Sequence, residues 1–182
     1  VTSVDAQYHL SISDMKAHAN QVCQNDAVIL SNALDRLQEA NEVTLDEITA
    51  SWNQRKDVFL SDYEAGKAQG RYVTPTLPQM PFDNDAFELA LCSDLLFNAH
   101  AASRWPAGVN TQQMILELCR IAEEVRIFPL MTETGGLSDE LGPLMLLLQE
   151  HDYGVEVREV PFHQQVGGNA MLRVWSQACD VG

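Results

Sequence analysis

The feature that most constrains this chain is a short run, Phe87-Glu88-Leu89-Ala90-Leu91-Cys92, apolar at every position but one and of strand length. A strand with one wet face alternates apolar and polar residues. A nearly continuous apolar run therefore predicts a strand covered on both faces, as at the centre of a parallel sheet. Parallel neighbours need a crossover of about a dozen residues or more. Residues 111–124 supply one, with Met114, Ile115, Leu118, Ile121 and Ala122 on one helical face. Residues 125–130, Val-Arg-Ile-Phe-Pro-Leu, then read as the next strand and complete a βαβ unit.

The same pattern extends to both sides. After Gly135-Gly136, Leu141, Leu144, Met145 and Leu148 mark a helix between positions 138 and 151. Residues 155–162 and 170–175 read as two strands whose connection, His163-Gln164-Gln165-Val166-Gly167-Gly168, is too short for a crossover and predicts an antiparallel hairpin. Upstream, Val1-Thr2-Ser3-Val4-Asp5 reads as a strand with an acid at its C-terminal end. Ser13 or Asp14 can cap a following helix through Met15, Ala19, Val22 and Cys23, which Val28, Ile29, Ala33 and Leu37 prolong into one long helix or a pair. Residues 44–66 are helical and more charged, with Ile48, Trp52, Val58, Phe59 and Tyr63 as apolar positions, and Gly66 and Gly70 punctuate the end. Arg71-Tyr72-Val73-Thr74 is a short strand closed by Pro75, Pro78 and Pro81. The order predicts an α/β fold, a mostly parallel sheet with an antiparallel C-terminal hairpin strand. A chain of 182 residues suits a single domain over 1–182.

Charge narrows the partners. A net charge of −15, with the basic residues scattered, repels nucleic-acid phosphates and anionic lipid, so neither nucleic acid nor membrane is expected as a partner. No apolar run reaches about 18 residues and no leader pattern is present, which predicts a cytoplasmic protein. Cys23, Cys92, Cys119 and Cys179 form no CxxC pair, and His9, His18, His100, His151 and His163 stand at no zinc-site spacing, so no metal site is expected and the thiols should be reduced and mostly buried. Cys92-Ser93 lacks a G-x-S-x-G elbow, which argues against hydrolase chemistry. Asp83-Asn84-Asp85 opens like a calcium loop but lacks its later Gly and Glu, leaving a solvated turn.

Five stretches carry a family resemblance. Leu77-Pro78-Gln79-Met80-Pro81-Phe82-Asp83-Asn84-Asp85-Ala86-Phe87-Glu88-Leu89-Ala90-Leu91-Cys92-Ser93 resembles the LPF-x-D-x-x-F-D-L-V approach to the fourth strand of class I, Rossmann-like S-adenosylmethionine-dependent methyltransferases. Phe59-Leu60-Ser61-Asp62-Tyr63-Glu64-Ala65-Gly66-Lys67-Ala68-Gln69-Gly70-Arg71-Tyr72 resembles an uncharacterised bacterial group of such proteins. Glu117-Leu118-Cys119-Arg120, Glu124-Val125-Arg126-Ile127-Phe128-Pro129-Leu130 and Gly167-Gly168-Asn169-Ala170-Met171-Leu172 match that group in the same order.

The resemblance implies a Rossmann-like three-layer sandwich and methyl transfer from S-adenosylmethionine to a small-molecule acceptor, with a non-catalytic methyltransferase-like binding module as the alternative. It places Asp5, with Ala6 beside it, at the end of the second strand, where a carboxylate accepts hydrogen bonds from both ribose hydroxyls. It sets Thr76 at the adenine amino group, where the family has an acid, and Leu77 against the ring. Cys92 and Ser93, at the carboxyl end of the central strand, border the cofactor crevice. His100, Ser103, Arg104 and Trp105 lie where such enzymes receive the acceptor. No catalytic side chain is named, since methyl transfer to a good nucleophile needs mainly alignment. The family opens with a strand and a Gly-rich turn, which no residue before Asp5 supplies; Gly135-Gly136 and Gly167-Gly168 come too late in the order. The resemblance thus implies a domain that is N-terminally incomplete here, with a helical insert at about 44–70, unpaired sheet edges and an uncovered apolar face prone to aggregation.

Overall fold

The computed structural model describes residues 1–41, 44–97, 105–132, 136–162 and 168–176, with side chains throughout except at 29, 30 and 32–41. The side chains of Ile29, Ala33 and Leu37 thus lie outside the described residues. The fold is mixed α and β, with two sheets and four α-helices among the described residues. It divides into two units, Val1–Pro75 and Thr76–Gly182.

In the first unit, β1 (Ser3–Val4) and β2 (Tyr72–Val73) pair in parallel. Their crossover is a helical pair, α1 (Ile12–Asn41) and α2 (Leu45–Ala68). The cap of α1 is Ser11 rather than Ser13 or Asp14: its Oγ accepts the Asp14 N–H at 3.2 Å, and its carbonyl takes the Met15 N–H at 2.8 Å. Ser11 is the first hydroxyl one turn ahead of free N–H groups, so the helix starts as early as a cap permits. Thr44 and Glu47 form a reciprocal capping box that starts α2.

Aromatic packing joins the end of α2 to β2. Tyr8, Phe59, Tyr63 and Tyr72 stack with ring centroids 5.1 to 6.2 Å apart. Tyr63 is fully buried and donates its hydroxyl to the carbonyls of Tyr8 and Leu10 at 3.1 and 3.0 Å. Gly66 admits the Tyr72 ring where a Cβ would collide with it. The Arg71 guanidinium grips both Asp62 oxygens at 2.6 and 2.7 Å and the Tyr72 hydroxyl donates at 2.8 Å, which together hold the Asp62 carboxyl down to about 2.

The second unit is a four-stranded sheet of β3 (Phe87–Ser93), β4 (Ala122–Phe128), β5 (Tyr153–Glu159) and β6 (Ala170–Ser176), in the spatial order β3-β4-β6-β5. β3 and β4 are parallel across the helix α3 (Thr111–Ile121). A further helix, α4 (Leu141–Glu150), leads from β4 to β5. The last strand is antiparallel to both neighbours and lies between them, as the short connection predicts. One boundary differs: α3 stops at Ile121, and Ala122, Glu123 and Glu124 are extended as part of β4. Ala and Glu favour helix, but Ala122 lies opposite Phe87 in the ladder, and tertiary pairing overrides propensity there.

Side-chain alternation divides this sheet into two unlike faces. Cys92, Val125, Ile127, Leu172 and Val174 point to the helices and meet Met114, Ile115, Leu118, Ile121, Leu141, Leu144 and Leu148, all less than a tenth exposed. Each such side chain contributes roughly 1.5–3 kcal/mol on burial. The opposite face holds Glu124 and Arg126 on β4, Arg173 and Trp175 on β6, and Glu156 and Arg158 on β5. Glu124 accepts from Arg126 and Arg173, each at 2.6 Å, and Arg158 pairs with Glu156 at 2.7 Å. The Arg173 guanidinium lies 4.7 Å above the Trp175 ring, whose indole fills the space a side chain at Gly154 would occupy.

The expectation for residues 87–92 is corrected. β3 is an edge strand of this sheet, and Leu89 and Leu91, on the face away from the unit's helices, are 40% and 73% exposed. Within this unit β3 pairs on one side alone and the helices cover one face. The apolar run therefore exceeds the cover that the described residues of the unit provide, and an open apolar edge is a template for further pairing.

Three outcomes follow from this packing. Leu91→Lys should reduce concentration-dependent self-association in sedimentation and light scattering while moving stability by no more than about 0.5 kcal/mol; unchanged association would show that β3 is not the sticky edge. Gly154→Ala should destabilise by about 1–3 kcal/mol in urea unfolding, because the indole of Trp175 must yield. Arg173 first and Arg126 second hold the Glu124 carboxyl at about 2, below the roughly 4.3 of an unfolded Glu. A carboxyl depressed on folding adds stability that is complete above the unfolded value and is lost as pH falls through the folded one. The stability advantage of the wild type over Glu124→Gln should therefore shrink between pH about 4.3 and about 2, measured by urea unfolding at stepped pH.

Candidate functional site

The chemistry-bearing positions fall at the carboxyl ends of parallel strands, where open α/β sheets bind ligands. In the first unit Asp5 ends β1, its N–H donating to the Val73 carbonyl at 3.2 Å. Its Oδ1 accepts the Gln7 N–H at 2.7 Å and caps a 3-10 turn over Ala6–His9. Ala6 lends its carbonyl to the His9 ring at 2.7 Å. Both residues are exposed. Asp5 thus has a structural duty through one oxygen, and Oδ2 takes no part in that cap.

The other four expected site residues belong to the second unit. Thr76 is exposed and bridges to Gln79 in a tight reversal, and Leu77 is half-buried. At the end of β3 the backbone alternates, so Cys92 and Ser93 part company. Cys92 turns into the helix-covered core, where burial pushes its thiol up to about 12. Ser93 turns outward, and its hydroxyl donates to the Asp94 carboxylate at 3.2 Å. Asp94 sits at φ 51° and gives its N–H to the Phe128 carbonyl at 3.1 Å. A left-handed non-glycine residue is uncommon, and Asp tolerates the conformation through its short polar side chain. Nothing in the spacing of apolar residues marks that backbone turn, so sequence reasoning misses Asp94.

A second missed feature is an ion pair on α3 whose carboxylate is buried. Glu117 is 9% exposed, and its Oε1 accepts the Met80 N–H at 2.6 Å. Arg120 donates to both Glu117 oxygens at 2.7 and 2.8 Å, and also to the Phe82 carbonyl, the Asn84 Oδ1 and the Met80 carbonyl at 2.9, 2.9 and 3.2 Å. Burial raises the Glu117 carboxyl, but the Arg120 guanidinium and the Met80 N–H outweigh it and leave the group below its ordinary range. The signal was present: Glu117 stands three residues after Met114 and four before Ile121, a charge within the apolar stripe.

Chemically, the first unit offers an anionic oxygen acceptor, Asp5, and the second offers the hydroxyls of Thr76 and Ser93 and an apolar side chain, Leu77. Neither Cys92 nor Cys119 offers a thiolate, since burial raises Cys119 to about 12 as well. His100, Ser103 and Arg104 lie outside the described residues, and Trp105 is half-buried. Between α1 and α2 of the first unit, a groove of about 290 Å³ is lined by Asn20, Cys23, Trp52 and Lys56 among others. Lys56 already donates to Asn20 and Asn53 there, each at 2.9 Å.

No helix among the described residues is long and apolar enough to cross a membrane. No family model matches the chain. An uncharacterized protein of Methanocaldococcus jannaschii is 25% identical over 177 residues, covering 94% of this chain and 74% of that protein. The crystal structure of a SAM-dependent methyltransferase from Aquifex aeolicus aligns with a TM-score of 0.36 and 17% identity over 64% of this chain, which spans 62% of that chain.

Proposed function

We propose that the protein is a cytoplasmic S-adenosylmethionine-dependent methyltransferase of the class I type, acting on a small-molecule acceptor through one Rossmann-like, three-layer domain over residues 1–182. The observation that carries this reading is the sheet order, in which a parallel β3-α3-β4 unit is followed by a reversed last strand inserted between β4 and β5. That insertion resembles the class I methyltransferase sheet. The edge position of β3 is where that sheet would pair a further parallel strand.

In this reading Asp5, beside Ala6, accepts hydrogen bonds from the ribose hydroxyls through the oxygen outside its cap. Thr76 accepts from the adenine amino group, Leu77 covers the ring, and the backbone at Cys92 with the Ser93 hydroxyl borders the crevice. When bound, S-adenosylmethionine supplies a methyl group activated on a sulfonium sulfur. The protein's residues orient the reactants. Cys92 and Cys119 are held as thiols, and the acceptor attacks as a nucleophile in its own right. The non-catalytic binding module is favoured by one observation, that the Asp5 carboxylate already caps its own turn.

Calorimetric titration of S-adenosylmethionine and S-adenosylhomocysteine into the protein translated from its natural start codon tests the reading. Binding is expected, and Asp5→Ala should weaken it by about tenfold or more, since hydrogen bonds to a charged group contribute about 1.5–3 kcal/mol. Absence of binding would overturn the methyltransferase reading. Binding without methyl transfer to any of a panel of small nucleophiles would favour the module.

A further inference from the structure

A connection such as residues 76–85 is ordinarily satisfied by water, because a surface segment has no reason to take its hydrogen bonds from a buried charge. This one does. Its N–H at Met80, its carbonyls at Met80 and Phe82 and its Asn84 side chain all terminate on Glu117 and Arg120. The Asp85 N–H closes the segment on the Arg120 carbonyl at 2.9 Å, and Phe82 packs edge-on against Phe87 at 4.9 Å. Met80 is buried, whereas Thr76 is exposed just beyond the Thr76–Gln79 bridge. The tied part of the segment is thus its body, and the presented part is its start.

An ion pair with one buried partner is a poor device for raw stability, since desolvating that partner offsets the attraction. What a five-donor guanidinium fork adds is fixed geometry. We propose that Glu117 and Arg120 are positioning residues that hold the 76–85 segment as a base-reading element, so that Thr76 meets the amino group of an adenine-containing ligand at a fixed place. The inference rests on the methyltransferase reading and adds to it the residues that set selectivity for the base.

The test compares binding of S-adenosylhomocysteine with that of its analogue lacking the 6-amino group, by calorimetry on the protein translated from its natural start codon. The wild type should favour the amino compound by roughly three- to tenfold, the value of one neutral hydrogen bond. Arg120→Lys keeps the charge but loses the fork, and should bring that ratio close to one while amide exchange at Met80 and Phe82 quickens. A role confined to stability would lower affinity for both ligands alike and leave the ratio unchanged, which would overturn the proposal. Asn84→Ala, at an exposed position, provides a variant that keeps the fold; it should lower the ratio in part, and an unchanged ratio there counts against the proposal even if Arg120→Lys fails to fold. Failure of the wild type to bind either compound is a different result, for it removes the methyltransferase reading and this inference with it.

Discussion

The second unit depends on the parallel pairing of β3 with β4. Parallel strands cannot be joined by a tight turn, so the pairing requires a helix to carry the chain back, and α3 is that helix. The pairing also fixes where α3 ends. Ala122 must lie opposite Phe87, which stops the helix at Ile121 although the next residues favour helix. With the helix held at that end, Glu117 and Arg120 stand one turn before β4 begins. From there they reach the segment that enters β3, so the same constraint that builds the βαβ unit fastens its incoming chain.

The two faces of the sheet carry different physics. On the helix side, close packing of Val125, Ile127, Leu172 and Val174 supplies the stabilisation. On the other side, cross-strand registry puts Glu124 beside Arg173 and Glu156 beside Arg173 in turn, a run of alternating charges over three strands. Partly exposed pairs of this kind contribute little stability one by one. They do specify register, because a slip of one residue would turn Arg126 and Arg173 into the core and Val125 and Val174 out to water. On β3 that face is apolar instead, with Leu89 and Leu91 exposed at the edge.

Much of the architecture is legible in the residues. The antiparallel hairpin was fixed by the few residues between β5 and β6, and the helices α2, α3 and α4 by apolar spacing and by Thr44 with Glu47. The environment of residues 87–92 was not legible: an apolar run states what a strand can tolerate on its two faces, and pairing partners decide what it receives. Cap position failed for a related reason, since Ser11, Ser13 and Asp14 are all competent caps and the turn formed by Ala6–His9 decides which one meets the helix. Of the expected site residues, Asp5 at a strand end follows from the pattern, whereas the opposite orientations of Cys92 and Ser93 follow from strand alternation once the covered face is known. Glu117 is visible as a charge in an apolar stripe, but the Met80 groups that it and Arg120 bond are 37 and 40 residues away in the chain and no periodicity names them.

The reactivity of the protein is limited by the same burial that stabilises it. Cys92 and Cys119 lie in the core with their thiols held protonated, so neither can serve as a nucleophile near neutral pH. Asp62 and Glu124 are held ionised by arginines, so neither is available as a proton donor there. Asp5 in the first unit and Thr76 and Ser93 in the second present ordinary, unactivated oxygens. Such groups recognise and orient more readily than they activate. A reaction whose electrophile is brought by its cofactor and whose nucleophile is brought by its acceptor asks no more than that of the protein around it.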